Sequence, residues 1–273
     1  TTADELRDVW RRVEDLGFGW ISVWDHFYGA TGKPDDAACL EAVAMHAALA
    51  CSTSKVRCGS LVYSIGYRHP AVLAKAITAI DQLSGGRAEM GIGAGWAQVE
   101  YDAYGFAFPS AKVRLDQLEE GIQCLRGLLH DDVTTFKGEH FTLTAARNEP
   151  RPIQAQLPIW IGGGGEKRTL RIAARYADEL IAMRDGRIHA SGPAEQIITS
   201  ELVRDVFGLD CQVITDPLSG APLVLPCGRH HSTRETVHSE RPLAATSATG
   251  AETSRGVRSC SSSSVALMRG SSI

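Results

Sequence analysis

The chain holds no CxxC pair, no apolar run approaching the roughly 18 to 20 residues that span a bilayer, and no marked excess of either charge. Each absence removes a class of function. The seven cysteines, at 39, 51, 58, 124, 211, 227 and 260, are an odd number, widely spaced, with no histidine at ligand spacing. Neither a disulfide framework nor a metal site is therefore expected, and the thiols read as reduced, in a cytoplasmic protein. Lys and Arg number 28 against 32 Asp and Glu, a formal charge of -4, which points away from nucleic acid and membrane surfaces and toward a small-molecule substrate. The opening residues TTADELRD lack the basic, then apolar order of a signal segment. Two nucleotide motifs are missing as well. Gly91-x-Gly93-x-Gly95-Trp96 lacks the third glycine of a dinucleotide fingerprint and marks close backbone approach instead, and Lys167 stands where a Walker A loop requires glycine.

What is present is 44% apolar residues, ample for a sizeable core, in a chain whose character changes twice. Residues 1–180 alternate helix and strand signals, 181–231 are of another kind, and 232–273 are rich in Ser, Thr and Arg with almost no large apolar side chains. The last stretch is expected to be disordered, because it cannot bury enough surface to offset its ordering entropy. In the first part, Thr2-x-x-Glu5 is a capping-box pattern before a helix carrying Leu6, Val9, Trp10, Val13 and Leu16. Trp20–Trp24 reads as a doubly covered strand, Leu40 to Ala48 as a helix and Val56–Val62 as a strand. Pro70 opens a helix through Leu83 that Gly85-Gly86 closes, and Ala88–Ile92 is the next strand. An amphipathic helix follows with Leu115, Leu118, Ile122, Leu125 and Leu129, then a hairpin-like Thr134–Leu143, the strand Pro158–Ile161 and a helix from about Glu166 to Tyr176. Strands alternating with helices imply a parallel sheet.

Three places carry chemistry. Asp25-His26 sits where a strand stops, a position suited to catalysis, although a carboxylate that merely holds a satisfied histidine is the plain alternative. The turn Gly162–Gly165, between a strand and a helix, exposes backbone N–H groups to an anion, and Lys167 and Arg168 add charge. His46 and His69 are lone histidines, read as structural, though His69 precedes Pro70 in a strand-to-helix loop.

Several segments together resemble the luciferase-like monooxygenase superfamily, and within it the branch that uses the deazaflavin coenzyme F420. They are LGFGWISVWDHFYG (16–29), CGSLVYSIGYRHPAVLAK (58–75), DQLSGGRAEMGIGAGW (81–96), EYDAYGFAFPSAKVRLDQLEE (100–120) and PIWIGGGGEKRTLRIAARYAD (158–178). The resemblance implies a (β/α)8 barrel with the cofactor across the C-terminal ends of its strands. It further implies that His26, with Asp25, contacts the ring system and substrate, His26 acting as general acid or base in hydride transfer. Ser60-Leu61 falls where the family often has a non-proline cis peptide behind the cofactor ring. Gly95 and Trp96 fall near that ring, with Trp96 standing where some dehydrogenase members carry Glu. Gly163, Gly164, Gly165 and Lys167 fall on the loop for the cofactor phosphate. Here a helix comes first where the family begins with a strand, and the likeness stops at Asp178, so the expected α/β fold is an incomplete barrel lacking strand one and the last strands. An open barrel exposes sheet edges and invites association into a homo-oligomer. Residues from about 178 to 231 resemble the C-terminal end of an iron-siderophore transporter ATPase, a passenger without nucleotide chemistry, since no Walker A loop accompanies it. An FMN-dependent monooxygenase and an inert fragment are the readings that stand beside the F420 enzyme.

Overall fold

The computed structural model describes residues 2–29, 38–163, 168–178, 180–184, 187–217, 220–227 and 264–266. Helix α1 (Ala3–Asp15) opens on the expected capping box: the Thr2 hydroxyl accepts from the Glu5 backbone N–H at 3.2 Å, and the Glu5 carboxylate accepts from the Thr2 backbone N–H at 2.7 Å. There follow β1 (Trp20–Val23), α2 (Ala42–Ser52), β2 (Arg57–Ser60), β3 (Tyr63–Ser64), α3 (Pro70–Ser84), β4 (Met90–Gly93), α4 (Gln98–Tyr104) and α5 (Ala111–His130). The hairpin β5 (Thr134–Lys137) and β6 (Thr142–Ala146) leads to β7 (Ile159–Gly162) and α6 (Arg168–Tyr176). Pro70 occupies the first turn of α3, and Gly85, at φ 68°, ends that helix in the left-handed region that glycine enters without a Cβ penalty.

The sheet is parallel wherever strands alternate with helices. Strand β1 pairs with β2 (Trp20 opposite Arg57), β3 with β4 (Tyr63 opposite Ile92) and β4 with β7 (Met90 opposite Ile159), while a parallel bridge between Cys58 and Ala88 links β2 to β4. Period-two alternation then divides the side chains. Cys58, Met90, Ile92, Ile159 and Ile161 join the buried cluster, together with Leu118, Ile122 and Leu125 of α5. Each such aliphatic side chain contributes on the order of 1.5–3 kcal/mol by leaving water. The other face carries Gly59, Gly91, Gly93 and Gly162, and Trp20 stacks on Trp160 there at 4.7 Å with an 8° interplanar angle. Bulk is not tolerated at Gly91, where a Cβ would lie 2.1 Å from the Ser60 carbonyl oxygen.

The expected strand 56–62 is broken. Its ladder runs through the Leu61 backbone N–H, which donates to the Val23 carbonyl at 2.7 Å, and the chain then turns before β3. The non-proline cis bond joins Leu61 to Val62, one bond later than expected, because Ser60-Leu61 is still held in the ladder. The fifth helix of the expected pattern is described over Arg168–Tyr176, and its expected start at about Glu166 lies outside the described residues.

Beyond α6 come β8 (Leu180–Arg184), β9 (Arg187–Gly192), α7 (Ala194–Ile197), α8 (Ser200–Phe207), β10 (Cys211–Thr215) and β11 (Pro222–Pro226). Strands β8 and β9 are antiparallel, as are β10 and β11. Ala182, Val203, Val206, Phe207 and Val224 of these elements belong to the same buried cluster as Ile159 and Leu118. Three residues of the tail expected to be disordered, Ser264–Ala266, form β12, antiparallel to β8; backbone pairing offsets ordering entropy without large side chains. The rest of that tail lies outside the described residues. Among those described, no helix is long and apolar enough to cross a membrane.

Candidate functional site

The parallel strands point their C-terminal ends the same way, and the turns that follow them converge. Asp25 and His26 leave β1, Leu61 and Val62 follow β2, Gly95 and Trp96 follow β4, and Gly163 follows β7. These residues border one cavity of about 520 Å³, a size suited to a small organic ligand or the reactive part of a cofactor. Part of its wall is main chain: Gly93, Gly95 and Gly162 all face it. A Cβ at Gly162 would lie 2.6 Å from Val62 Cγ1, and one at Gly95, whose φ is 77°, would lie 2.2 Å from the Tyr101 hydroxyl. Backbone this bare leaves room for a planar ring system.

Two buried carboxylates organise the His26 end. Asp25 is 5% exposed, and its Oδ2 accepts from the Ser64 backbone N–H at 2.8 Å and from Arg68 Nη1 at 2.7 Å. Burial works against the Arg68 charge, but Asp25 and Glu41 outweigh it and raise the guanidinium pKa above its ordinary value. Asp25 therefore ties the β1 turn to β3, and does not hold its neighbour His26. That task falls to Glu100 of α4, which is fully buried. Its Oε1 accepts from the backbone N–H groups of Phe27 and Tyr28, each at 3.1 Å, and its Oε2 lies 2.9 Å from His26 Nδ1 and 2.9 Å from the Tyr67 hydroxyl. Burial first, and then this carboxylate, push the Tyr67 phenol pKa upward, so Tyr67 keeps its proton and donates.

Aromatic rings close the same end. Trp96 meets His26 edge-on, with ring centroids 5.4 Å apart, and is 67% exposed at the cavity mouth. Phe27 stacks on Tyr104 at 4.2 Å and meets Tyr67 at 4.9 Å. Arg114, Thr169 and Met183 also line the cavity. The Arg114 guanidinium lies 3.8 Å over the Phe108 ring, and its Nη1 donates to the Pro109 carbonyl at 2.5 Å. This is a cation against an apolar wall of the cavity, where an anionic group can be met.

Of the residues singled out in the sequence, Asp25, His26, Leu61, Gly95, Trp96 and Gly163 border the cavity. Ser60 does not. It is buried, and its hydroxyl donates to the Gly91 carbonyl at 2.8 Å and accepts from the Gly91 N–H at 3.0 Å, fastening β2 to β4. Gly164, Gly165 and Lys167 lie outside the described residues. Sequence reasoning missed Glu100, Tyr67, Arg68 and Arg114. The available signal for Glu100 was an acid at the head of the aromatic stretch EYDAYGF, which also holds Asp102.

Parallel strands with a cofactor-sized cavity beyond their carboxyl ends, walled by glycine backbone and a held histidine, define the class of α/β domains that bind a ligand at that end. The family model for luciferase-like monooxygenases matches residues 1–188, and the chain belongs to that family. It is 33% identical over 193 residues to an F420-dependent glucose-6-phosphate dehydrogenase of Amycolatopsis mediterranei, covering 70% of this chain and 55% of that protein. The chain thus spans about half the length of that relative. The solved structure of an F420-dependent secondary alcohol dehydrogenase in complex with an F420–acetone adduct matches with a TM-score of 0.58 at 29% identity, over 65% of this chain and 53% of the other. That places the fold with the barrel-type members of the family. A separate match, 50% identical over 60 residues, is to the ferric enterobactin transport ATP-binding protein FepC of Escherichia coli, and covers 22% of each protein.

Proposed function

We propose that this chain is a coenzyme F420-dependent oxidoreductase that moves a hydride between the deazaflavin and a carbon of a small organic substrate, built on a partial (β/α)8 barrel over residues 1–180. The observation that carries this reading is His26, its Nδ1 held by a buried carboxylate, at the edge of a glycine-backed cavity of about 520 Å³. When bound, F420 would supply the two-electron acceptor or donor that no side chain offers. Leu61, Gly95 and Trp96 would border its ring system, while Gly163, with Gly164, Gly165 and Lys167 of the same loop, would meet its phosphate. His26 would take up or return the proton of the substrate oxygen as the hydride moves, and Asp25 would keep the β1 turn in register with β3 through Ser64. Free thiols at Cys58 and Cys124, each pushed up to about 11 by burial, fit a reducing, cytoplasmic setting. Residues 181–231 and 232–273 would be further units without nucleotide chemistry of their own.

An FMN-dependent monooxygenase is the second reading. It is favoured by Trp96, which puts an exposed indole rather than an acid beside His26. Equilibrium titration of the purified chain with F420 and, separately, with FMN distinguishes the two by fluorescence. Saturable binding of F420 in preference to FMN is the expected result; the reverse preference selects the monooxygenase, and binding of neither removes both and leaves an inert fragment.

A further inference from the structure

Glu100 does more than satisfy a buried turn. One of its carboxylate oxygens, Oε1, is taken by two main-chain donors, Phe27 and Tyr28, which fix the loop carrying His26. The other, Oε2, faces two side chains, the Tyr67 hydroxyl and His26 Nδ1, both at 2.9 Å. An oxygen that already receives the tyrosine proton must receive a second proton from the imidazole, because a neutral nitrogen lone pair there would face a carboxylate with nothing between them. The opposite ring nitrogen, Nε2, meets no protein partner among the described residues, and the ring borders the cavity. We infer that Glu100 is the positioning residue for His26, fixing its imidazole as the Nδ1–H tautomer so that the Nε2 lone pair is the atom offered to substrate.

This inference rests on the reading of His26 as the acid and base, and it gives that reading a direction. In the neutral Nδ1–H tautomer Nε2 can accept a proton, which suits a substrate that arrives as an alcohol and leaves as a carbonyl. In that half-reaction Nε2 would take the proton of the breaking O–H bond as the C=O bond forms, and a bound oxidised cofactor would supply the acceptor for the C–H electron pair as hydride. The same carboxylate then stabilises the imidazolium, as a buried acid does behind a histidine base in other enzymes. Charge-assisted bonds of this kind favour one tautomer by at least about tenfold.

The test needs neither cofactor nor turnover. Two-dimensional nitrogen–proton spectra of the 15N-histidine-labelled chain, above the range in which its imidazole protonates, report which ring nitrogen carries the proton; His26→Gln identifies the signals by their loss. The wild type is expected to show His26 as Nδ1–H. In Glu100→Gln the amide oxygen can remain with the Phe27 and Tyr28 N–H groups, which turns the NH2 toward Nδ1, so the proton is expected to move to Nε2. Tyr67→Phe removes a hydrogen bond but keeps the carboxylate, and is expected to leave the Nδ1–H tautomer in place. A wild-type His26 that is Nε2–H or evenly mixed overturns the inference without any variant. So does a folded Glu100→Gln chain that retains Nδ1–H, which would make Glu100 a loop brace only. Failure of F420 to bind, by contrast, would remove the proposed function and leave the tautomer measurement standing.

Discussion

His46 should make this fold sensitive to mild acid, in a window that opens above the range of the carboxylates. The side chain is 0% exposed, with Nδ1 2.9 Å from the Tyr63 hydroxyl, and desolvation lowers its pKa from 6.5 to about 4. The folded chain therefore resists the proton that the unfolded chain accepts. Above 6.5 both states carry a neutral ring and nothing is lost; as the pH falls from 6.5 toward 4 the unfolded state alone is protonated, and stability drops by up to ~1.4 kcal/mol per unit. By pH 4.5 the loss from this one group is about 2.5 kcal/mol, a large share of a typical domain's stability. Glu14, Glu41 and Glu120 also titrate abnormally: burial opposes, but backbone N–H bonds win and hold each carboxyl below its ordinary value. Their stabilisation is lost lower down, as the pH falls below the ordinary carboxylate range, and it is lost alike in any His46 variant. Urea unfolding followed by tryptophan fluorescence at pH 7 and pH 4.5 isolates the histidine. His46→Gln keeps a polar partner for Tyr63 without a titrating ring, and should lose about 2.5 kcal/mol less than the wild type between those two pH values. Equal losses in the two proteins would refute the argument. The position matters to the site because Tyr63, which His46 props, also borders the cavity.

Four other perturbations test the packing and the proposed chemistry. Gly91→Ala should cost about 3 kcal/mol or more in urea unfolding, since the new Cβ would sit 2.1 Å from a backbone carbonyl that cannot move without parting β2 from β4. Gly105→Ala, in a left-handed turn with open space around it, should cost only about 1 kcal/mol. Phe207→Ala should destabilise by about 3–5 kcal/mol and lower one common thermal transition, because Phe207 is buried in the cluster that includes Ile159 and Leu118; a loss below about 1 kcal/mol would mean that α8 does not pack there. His26→Gln should leave the F420 dissociation constant within a few fold while turnover falls by about 100-fold or more, read as kcat against the binding titration; unchanged kcat would remove His26 from the proton transfer.

Local signals in the sequence carried the helices and strands well. The capping box at Thr2, the proline at the head of α3 and the glycine at its end are each decided within a few residues, and each stands where the pattern puts it. The strand 56–62 was less legible. Apolar residues continue through Leu61 and Val62, but the backbone leaves the ladder after Leu61, and only the position of Val23 on the neighbouring strand shows where the last hydrogen bond falls. Ser60 was misplaced for a related reason. A hydroxyl at a strand end looks available to a ligand until Gly91, 31 residues on, is found taking both of its hydrogen bonds.

The site follows the same rule. His26 and Gly163 could be named from sequence because ending a strand is a local event, and Leu61 and Gly95 because their segments resemble the family's. Their partners could not, because the partner of His26 is 74 residues away and reaches it from a short helix on another turn. Asp25, adjacent in sequence, was the natural candidate to hold His26, yet neighbours at a strand end point in different directions, and its carboxylate goes to Ser64 and Arg68. The C-terminal segment poses the converse problem. The family match ends at residue 188, and the elements that follow α6 nevertheless enter the same hydrophobic cluster as the parallel strands. Apolar burial is non-directional and needs only a face of suitable size, so the elements beyond α6 can cover that helix while β8 brings Met183 to the cavity wall. Packing of that kind argues for a folded chain and says nothing about chemistry, which is why the test of function has to be made at His26 and Glu100.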